Sequence, residues 1–578
     1  MKQLLLLLLC FSTAFSCEAQ AFKRITDPTN PVTNFTNTNS TYKGLAWVDL
    51  NRDHYPDLFV SPWFLFLNDR HGNFTQLPNL PGVRDEQIAL GTSWGDLDND
   101  GDMDCAIAAI QSGLFLNAGD NTFTSDNAQL PGIDGYSGWD CALADVDNNG
   151  LLDLLYVHAC CGFHPSGPFN CKLFLQQTAG VFTPVTGYEF TDQTAPYTIP
   201  TWSDYDQDGD LDLFIGSGPA GTARPDFNYK NLLKETGVFQ LERLTSFPFM
   251  QPQDGQVYNF IDYDNDRDLD ICLTNYGGAK TRLYRNNGDG TYLELNTVFS
   301  TVKPYLSNVW GDMDNDGYLD VLLAEDQTNS PRLFRNKGNG TFHFPIIPGG
   351  TGGNIAGIAL ADYDNDGDLD FYVNGQGNAR TLFRNDTFAA ARRWVQFALE
   401  GSSSNRAAIG AAIQVKATIG GKAMWQIREV LAHNSFQSQS DLRQHFGLKD
   451  ATQIDSVVVR WPSGIRQVFT GLSSNQFYQI KESTGIEPIV GTTPVANSLQ
   501  FETSPNPVRH FFNIQTNEKI TALELFDSTG RLHTAAFDLG ANGSTTVHLP
   551  QQLPNGLLFL RATFEHGRQH LQKIVKEE

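Results

Sequence analysis

The chain has 578 residues, 40% hydrophobic and 12% aromatic, with a formal net charge of −25. This length exceeds one ordinary domain and leads us to expect two to four. The apolar content excludes wholesale disorder, and the acidity argues against nucleic acid as a partner.

The chain opens with MKQLLLLLLCFSTAFSCEAQAF: a Lys at position 2, a leucine run from Leu4 to Leu9, and a small-residue site at Ala19–Ala21. This reads as a signal peptide over 1–21, too short to remain as a membrane-spanning helix. Lipidation at Cys17 is an alternative, although Ala14-Phe15-Ser16 lacks the usual aliphatic residue. No later apolar run reaches the ~20 residues of a transmembrane segment. The mature protein is expected to be exported and either secreted or held at the outer cell surface.

A nine-residue pattern then recurs seven times, starting at Asp49, Asp96, Asp145, Asp204, Asp262, Asp312 and Asp362. The spacings are 47, 49, 59, 58, 50 and 50 residues. Positions 1, 3, 5 and 9 are Asp or Asn in every copy. They are Asp49, Asn51, Asp53 and Asp57 in the first, then Asp96, Asp98, Asp100 and Asp104 in the second. The third and fourth have Asp145, Asp147, Asn149, Asp153 and Asp204, Asp206, Asp208, Asp212. The remaining three have Asp262, Asp264, Asp266, Asp270; Asp312, Asp314, Asp316, Asp320; and Asp362, Asp364, Asp366, Asp370. Position 7 varies among Asp, Leu and Tyr, as a residue offering only its carbonyl would. Position 6 is Gly in five copies, with His54 and Arg267 in the first and fifth. A flexible loop of hard oxygens suits Ca²⁺, which takes six to eight such ligands, so up to seven ions are expected. Thirty of the 65 acids lie in these loops, and without them the net charge would be +5.

The flanks read as strands. Trp47, Trp94, Leu143, Trp202, Phe260, Trp310 and Leu360 stand two residues before each loop, and short apolar runs follow it. Aromatic segments around a Gly/Asn turn complete each unit, as in RLYRNNGDGTYLEL. Four-stranded units of this length that cannot bury their own faces are propeller blades. The seventh unit lacks an outer strand, and Phe22–Thr26 is expected to supply it. These repeats resemble the FG-GAP/VCBS repeats of calcium-binding β-propellers, which implies an all-β, seven-bladed propeller over 22–392.

The mature chain has six cysteines. In HACCGFHPSGPFNC a disulfide from Cys171 to Cys160 or Cys161 is the simplest expectation in an oxidising compartment, with buried thiols or a metal site using His158 and His164 as alternatives. After Arg393 the aspartates stop. The stretches SNRAAIGA, SQSDLRQHFGL and VVVRWPSG resemble the ASPIC/UnbV domain of cartilage acidic protein-like chains, implying a β-rich domain over 393–482. His445 and Arg460 read there as structural groups, since no nucleophile accompanies them. A linker follows over 483–497, rich in Pro, Gly, Thr and Ser. Over 498–578, SPNP, LFDSTGR, LPNGLLFLR and KIVK resemble the C-terminal sorting domain of type IX secretion substrates. That resemblance implies a small immunoglobulin-like sandwich and the type IX secretion machinery as a partner.

The function expected is a secreted, calcium-binding propeller that binds an extracellular glycan or protein. The alternative is an extracellular carbohydrate-active hydrolase or lyase on the same scaffold. No Ser/His/Asp elbow, zinc-binding helix or glycine-rich phosphate loop appears, so catalysis is not expected. The third and fourth units run about ten residues longer than their neighbours, which marks 158–171 and 217–230 as candidate ligand regions.

Overall fold

The computed structural model describes residues 22–35, 43–80, 89–109, 111–159, 170–218, 224–376, 379–386, 392–489 and most of 501–577. The expected signal peptide, Cys160, Cys161, His164, most of 158–171 and residues 219–223 of the second long insertion lie outside the described residues. The chain divides into two compact units at Thr493/Pro494.

In the first unit each aspartate loop joins the first two strands of its own antiparallel sheet. The first sheet runs Leu45–Val48, Asp57–Val60, Phe64–Asn68 and Phe74–Gln76, in sequence order. The second to fifth repeat that order. The sixth has three regular strands, with isolated bridges at Leu333–Ile346 and Asn336–Phe342 beyond them. The seventh is completed from the N-terminus, where Phe22–Arg24 lies antiparallel to Thr381–Asn385. The expected closing strand therefore forms, two residues shorter, and Ile25 N still donates to Leu382 O (2.9 Å).

Second strands such as Asp57–Val60 and Asp104–Ala109 are buried throughout. Neighbouring sheets cover both faces, which is why these strands read as continuous apolar runs rather than alternating ones. Trp47 and Leu58 of the first sheet share one core with Ala359, Tyr372 and Leu382 of the seventh. The first and last sheets are thus packed together.

Polar ties follow the same circle. The fourth loop position has positive φ in all seven copies, from 54° to 62°. Asn is among the few non-glycine residues that tolerate this region, and five copies have it. Its amide donates to the sixth-position carbonyl of the next loop. The pairs are Asn99 to Gly150, Asn148 to Gly209, Asn265 to Gly317, Asn315 to Gly367 and Asn365 to His54, with Gln207 to Arg267 alike, at 2.8–3.0 Å. In the first loop Arg52 reaches Asp100 O (3.3 Å) and the Asp102 carboxylate (2.6 Å) instead. Every loop is tied to the next, and the seventh to the first.

A second tie comes from a residue at or near the end of the third strand. Asn68, Gln176, Asn231, Asn336 and Asn385 donate side-chain amides to the second-position carbonyls of Tyr363, Leu97, Val146, Tyr263 and Met313 in the preceding loop, at 2.7–3.0 Å.

Residues 393–489 are not a separate body. Arg393–Glu400, Gln444–Lys449, Gln476–Lys481 and Gly485–Pro488 form one sheet; Ala412–Ile419, Lys422–Glu429, Ser456–Arg460 and Arg466–Phe469 form the other. They share a core that includes Phe397, Ile413, Phe446 and Val457. The linker expected from 483 starts later, because Gly485–Pro488 still pairs in register with Tyr478–Lys481.

Between the strands ending at Glu429 and starting at Gln444, the chain leaves this sandwich and enters the ring of sheets. A first strand has a neighbour on one side only, so its other edge carries unpaired backbone groups. Residues 430–443 satisfy part of those edges. Trp47 N donates to Gln439 O (3.1 Å), and Trp94 N to Gln439 Oε1 (2.7 Å). Gln437 Nε2 donates to Trp139 O (2.9 Å), and Leu360 N to Ser440 Oγ (3.1 Å). Asn259 Nδ2 donates to Asn434 O (3.1 Å), and Phe436 N to Ser307 Oγ (3.0 Å). Phe436 is wholly buried among Trp139, Ile199, Val257, Leu306 and Ala356, which lie on or beside the first strands of five repeats.

In the second unit, two four-stranded sheets between Phe501 and Lys576 enclose a core with Phe512, Ile514, Leu525, Val547 and Leu560.

Because Phe436 joins the repeats to the sandwich, Phe436→Ala is expected to cost about 3–5 kcal/mol, the range for emptying a buried Phe site. Urea unfolding of residues 22–489 should show one transition, shifted as a whole. Two transitions with one unmoved would contradict the shared core.

Candidate metal centres

Each aspartate loop wraps around its first carboxylate. The sixth-position N–H donates to it in all seven, at 2.6–3.2 Å. The fifth-position Oδ1 accepts from the seventh N–H at 2.8–3.2 Å, closing a second small turn. The ninth-position Oδ1 accepts the backbone N–H of a residue at or near the end of the third strand, at 2.7–2.8 Å. A side chain expected to be a ligand thus also locks the loop to its sheet.

Within this wrapping, carboxylate oxygens from positions 1, 3 and 9 converge to within 4.8 Å in the second to fifth loops, at Asp96/Asp98/Asp104, Asp145/Asp147/Asp153, Asp204/Asp206/Asp212 and Asp262/Asp264/Asp270. Fifth-position residues stand outside these groups of three. Several carboxylate oxygens of the aspartate loops are buried without a hydrogen-bond partner among the described residues, including Asp96 Oδ1, Asp204 Oδ1, Asp264 Oδ1 and Asp364 Oδ1. Burying bare carboxylate oxygen is costly, and an all-oxygen set of this kind fits a hard cation.

Burial, assisted by neighbouring carboxylates, raises these acids when no cation is counted. Asp96, Asp145 and Asp262 rise to about 7, Asp104 to about 8 and Asp270 to about 9. Asp153, Asp320 and Asp370 are also pushed well up.

Cationic side chains divide the loops. Arg335 and Arg392 pair with Asp314, the latter at 2.8 Å. Lys230 lies 2.5 Å from Asp206 and 3.1 Å from Asp208, Arg384 3.6 Å from Asp364, and Arg70 2.9 Å from Asp53. Among the described residues Asp98, Asp147 and Asp264 have no such ion pair. The sequence already separates most of these cases, since Leu116 and Leu175 stand where Lys230, Arg335 and Arg384 stand in later repeats.

The sandwich following the repeats reaches these loops too, a set of contacts absent from the sequence reading. Arg443 donates to His54 O (3.1 Å), Asn365 Oδ1 (2.7 Å) and Asp362 O (2.9 Å). Gln396 Nε2 donates to Asp362 Oδ2 (2.6 Å). Glu429, pushed up to about 7 by burial, accepts from Ser203 Oγ (2.6 Å) and Asp204 N (3.0 Å). Arg406 N donates to Asn99 Oδ1 (3.0 Å). His445 is a structural group, buried with Nε2 bonded to Asn315 Oδ1 (2.7 Å) and held down to about 3 chiefly by burial. Arg460 is exposed at its strand end.

Cys171 has a buried thiol, and the disulfide expected with Cys160 or Cys161 rests on residues outside those described. Its side chain packs in the apolar core shared by the third and fourth repeats, with Leu173, Phe190 and Tyr197. Cys105, Cys141 and Cys272 are likewise buried.

Comparison with known families agrees with this organisation. Residues 262–323 and 312–373 match the FG-GAP-like repeat, 401–487 match ASPIC and UnbV, and 504–577 match the secretion system C-terminal sorting domain. A search of curated proteins gives no match. Among solved structures, the chain is similar to an Agrocybe aegerita lectin described for recognition of non-reducing terminal N-acetylglucosamine. The identity is 16% and the TM-score 0.40, covering 61% of this chain and 88% of that one. It is also similar to the Dos1 propeller (12%, TM-score 0.35, 60% and 77%) and to a Penicillium chrysogenum α-L-arabinanase complexed with arabinobiose (11%, 0.33, 63% and 97%). Among the described residues no helix is long and apolar enough to cross a membrane.

Carboxyls raised on folding bind protons more tightly in the folded state. Chelated protein should therefore gain stability as pH falls from 9 towards 6, through the folded values, and gain little more below the unfolded value near 4. Thermal unfolding in EDTA across that range checks this. A midpoint that falls over the same interval would contradict it.

Proposed function

We propose that this chain, which joins FG-GAP-like repeats to an ASPIC and UnbV domain and ends in a secretion sorting tail, is a secreted or cell-surface binding module. Ca²⁺ in its repeat loops stabilises it, and the seven tied sheets are its blades. The observation that carries the reading is the convergence of carboxylates at positions 1, 3 and 9, in loops whose buried oxygens include several without a hydrogen-bond partner among the described residues. Positions 1, 3, 5 and 9 would hold the ion, which supplies the positive charge these oxygens lack. The ligand is an extracellular glycan or protein. It meets the rim and seams of the propeller, because residues 430–443 fill the space between the first strands.

Calcium should raise the unfolding midpoint by linkage, with a larger shift at pH 8.5 than at pH 6 because protons compete for the same oxygens. The sequence alone favours the first and fifth loops as the first to lose metal, on account of His54 and Arg267. We now expect the second, third and fifth loops to load at the lowest calcium and the sixth, with Asp314 already paired, to load last. Calorimetric titration with Asp98→Asn and Asp314→Asn variants checks the order. A calcium-independent midpoint, or equal protection by Mg²⁺, would count against the calcium reading.

The sorting tail should be removed on export. Mass spectrometry of secreted material is expected to find chains that start near Phe22 and end before about Asn497. Recovering chains that end at Glu578 outside the cell would contradict removal.

A further inference from the structure

The seam between the fourth and fifth repeats keeps its first tie, from Gln207 Nε2 to Arg267 O (2.8 Å), but lacks the second. In five repeats the amide at or near the end of the third strand reaches the second-position carbonyl of the preceding loop. By that rule Asn286 would reach Tyr205 O. Among the described residues its Nδ2 donates only to Leu269 O (3.2 Å), and Asn286 is partly exposed while its six counterparts are 0–5% exposed. Asn117, in the seam between the first and second repeats, also lacks the tie but stays buried, and Arg52 spans that seam to Asp102. The N–H of Tyr205 departs from the pattern as well. Its counterparts donate to the ninth-position carboxylate, whereas Asp212 Oδ2 has no hydrogen-bond partner among the described residues.

A cavity of about 310 Å³ occupies this seam. Tyr205, Phe249 and Tyr292 form an aromatic wall, with Phe249 edge-on to both rings at 5.6 and 6.0 Å. Phe247 adds an aromatic ring at the mouth and is 45% exposed. Asp206, Asp268 and Asn286 also line the cavity. Asp206 is paired with Lys230 at 2.5 Å and belongs to the fourth loop's oxygen set, which leaves Asp268 and Asn286 as the polar groups offered to a ligand here. An apolar ring face beside a carboxylate and an amide matches a sugar ring. Its C–H face packs on an aromatic ring while its hydroxyls donate to carboxylate oxygens and accept from the amide N–H. The volume lies at the lower end for small-ligand sites, which suits one ring rather than an extended chain.

A larger cleft of about 620 Å³ lies between the second and third loops and residues 400–406. It has no aromatic wall, and its charges are already matched. Arg406 pairs with Glu400 (3.1 Å), Lys481 pairs with Glu487 (3.0 Å), and Glu482 accepts the N–H groups of Ser402, Ser403 and Ser404.

We propose that the seam cavity is a saccharide-binding subsite for a single neutral pyranose residue of an extracellular glycan. This rests on the reading of the chain as an extracellular binding module. The test uses the secreted chain in calcium, probed by a glycan array and by saturation-transfer NMR with methyl glycosides of glucose, galactose, mannose, xylose and N-acetylglucosamine. At least one sugar should bind, weakly, as so few heavy atoms require. Phe247→Ala and Asp268→Asn should each weaken it at least tenfold, and Phe247→Trp should retain it. The two Phe247 variants should keep the wild-type calcium-dependent unfolding midpoint, which separates lost contact from lost fold. Sugar binding unchanged in both weakening variants would overturn the cavity while leaving the binding-module reading in place. An extracellular protein bound through another surface, with no sugar bound, would overturn the saccharide class alone. No ligand of either kind would overturn both readings.

Discussion

A ring of sheets leaves the first strand of each sheet with an unpaired edge facing inwards. Buried backbone N–H and C=O groups without partners would be costly at every repeat, and the cost would recur around the ring. Residues 430–443 lower it at the first, second, third and seventh repeats, where they pair with backbone groups at or beside the first strand. Gln437, Gln439 and the serines between 435 and 440 answer those edges with side-chain and backbone groups, and Phe436 fills the apolar space among them. Water could satisfy the edges of an empty ring, but it could not supply Phe436's contacts with five repeats. The domain after the repeats is for this reason part of their core.

The aspartate loops depend on the same docking. Arg443 spans the last and first loops through His54 O, Asn365 Oδ1 and Asp362 O, beside the ring-closing bond from Asn365 to His54. Glu429 and Gln396 hold the first-position regions of the fourth and seventh loops. Each carboxylate therefore sits in a preorganised cage. Backbone N–H groups take some of its lone pairs, and the oxygens left over point at one another. Such an arrangement favours a cation and disfavours the bare anionic form, as the raised proton affinities of Asp96, Asp104 and Asp270 reflect.

The irregularities carry as much information as the regularities. Six fourth-position amides make the same inter-repeat bond, so the substitution of Arg52 in the first loop is compensated visibly by its pair with Asp102. The missing tie at Asn286 has no such compensation, and an aromatic-lined cavity takes its place. A departure from a repeated bond on a rigid scaffold is a more specific signal than an insertion, because the neighbouring copies define what should have been there.

Periodicity alone determined the repeats, their strands, the recurring side-chain oxygens at positions 1, 3, 5 and 9, and the N-terminal strand that completes the seventh sheet. These are local properties: side-chain oxygen at alternate positions, a residue tolerant of positive φ, and apolar runs that must be covered. The recurrence of Asn at position 4 was equally visible, but its role was not, because its acceptor lies some 50 residues away in the next loop. The insertion of 430–443 was hidden for a stronger reason. SFQSQSDLRQ has no hydrophobic period, and the stretch it opens reads as one more strand of the domain after the repeats. Only the tertiary structure decided that its polar groups are buried, since their partners are backbone edges that any sequence could present and that exist only once the ring has closed.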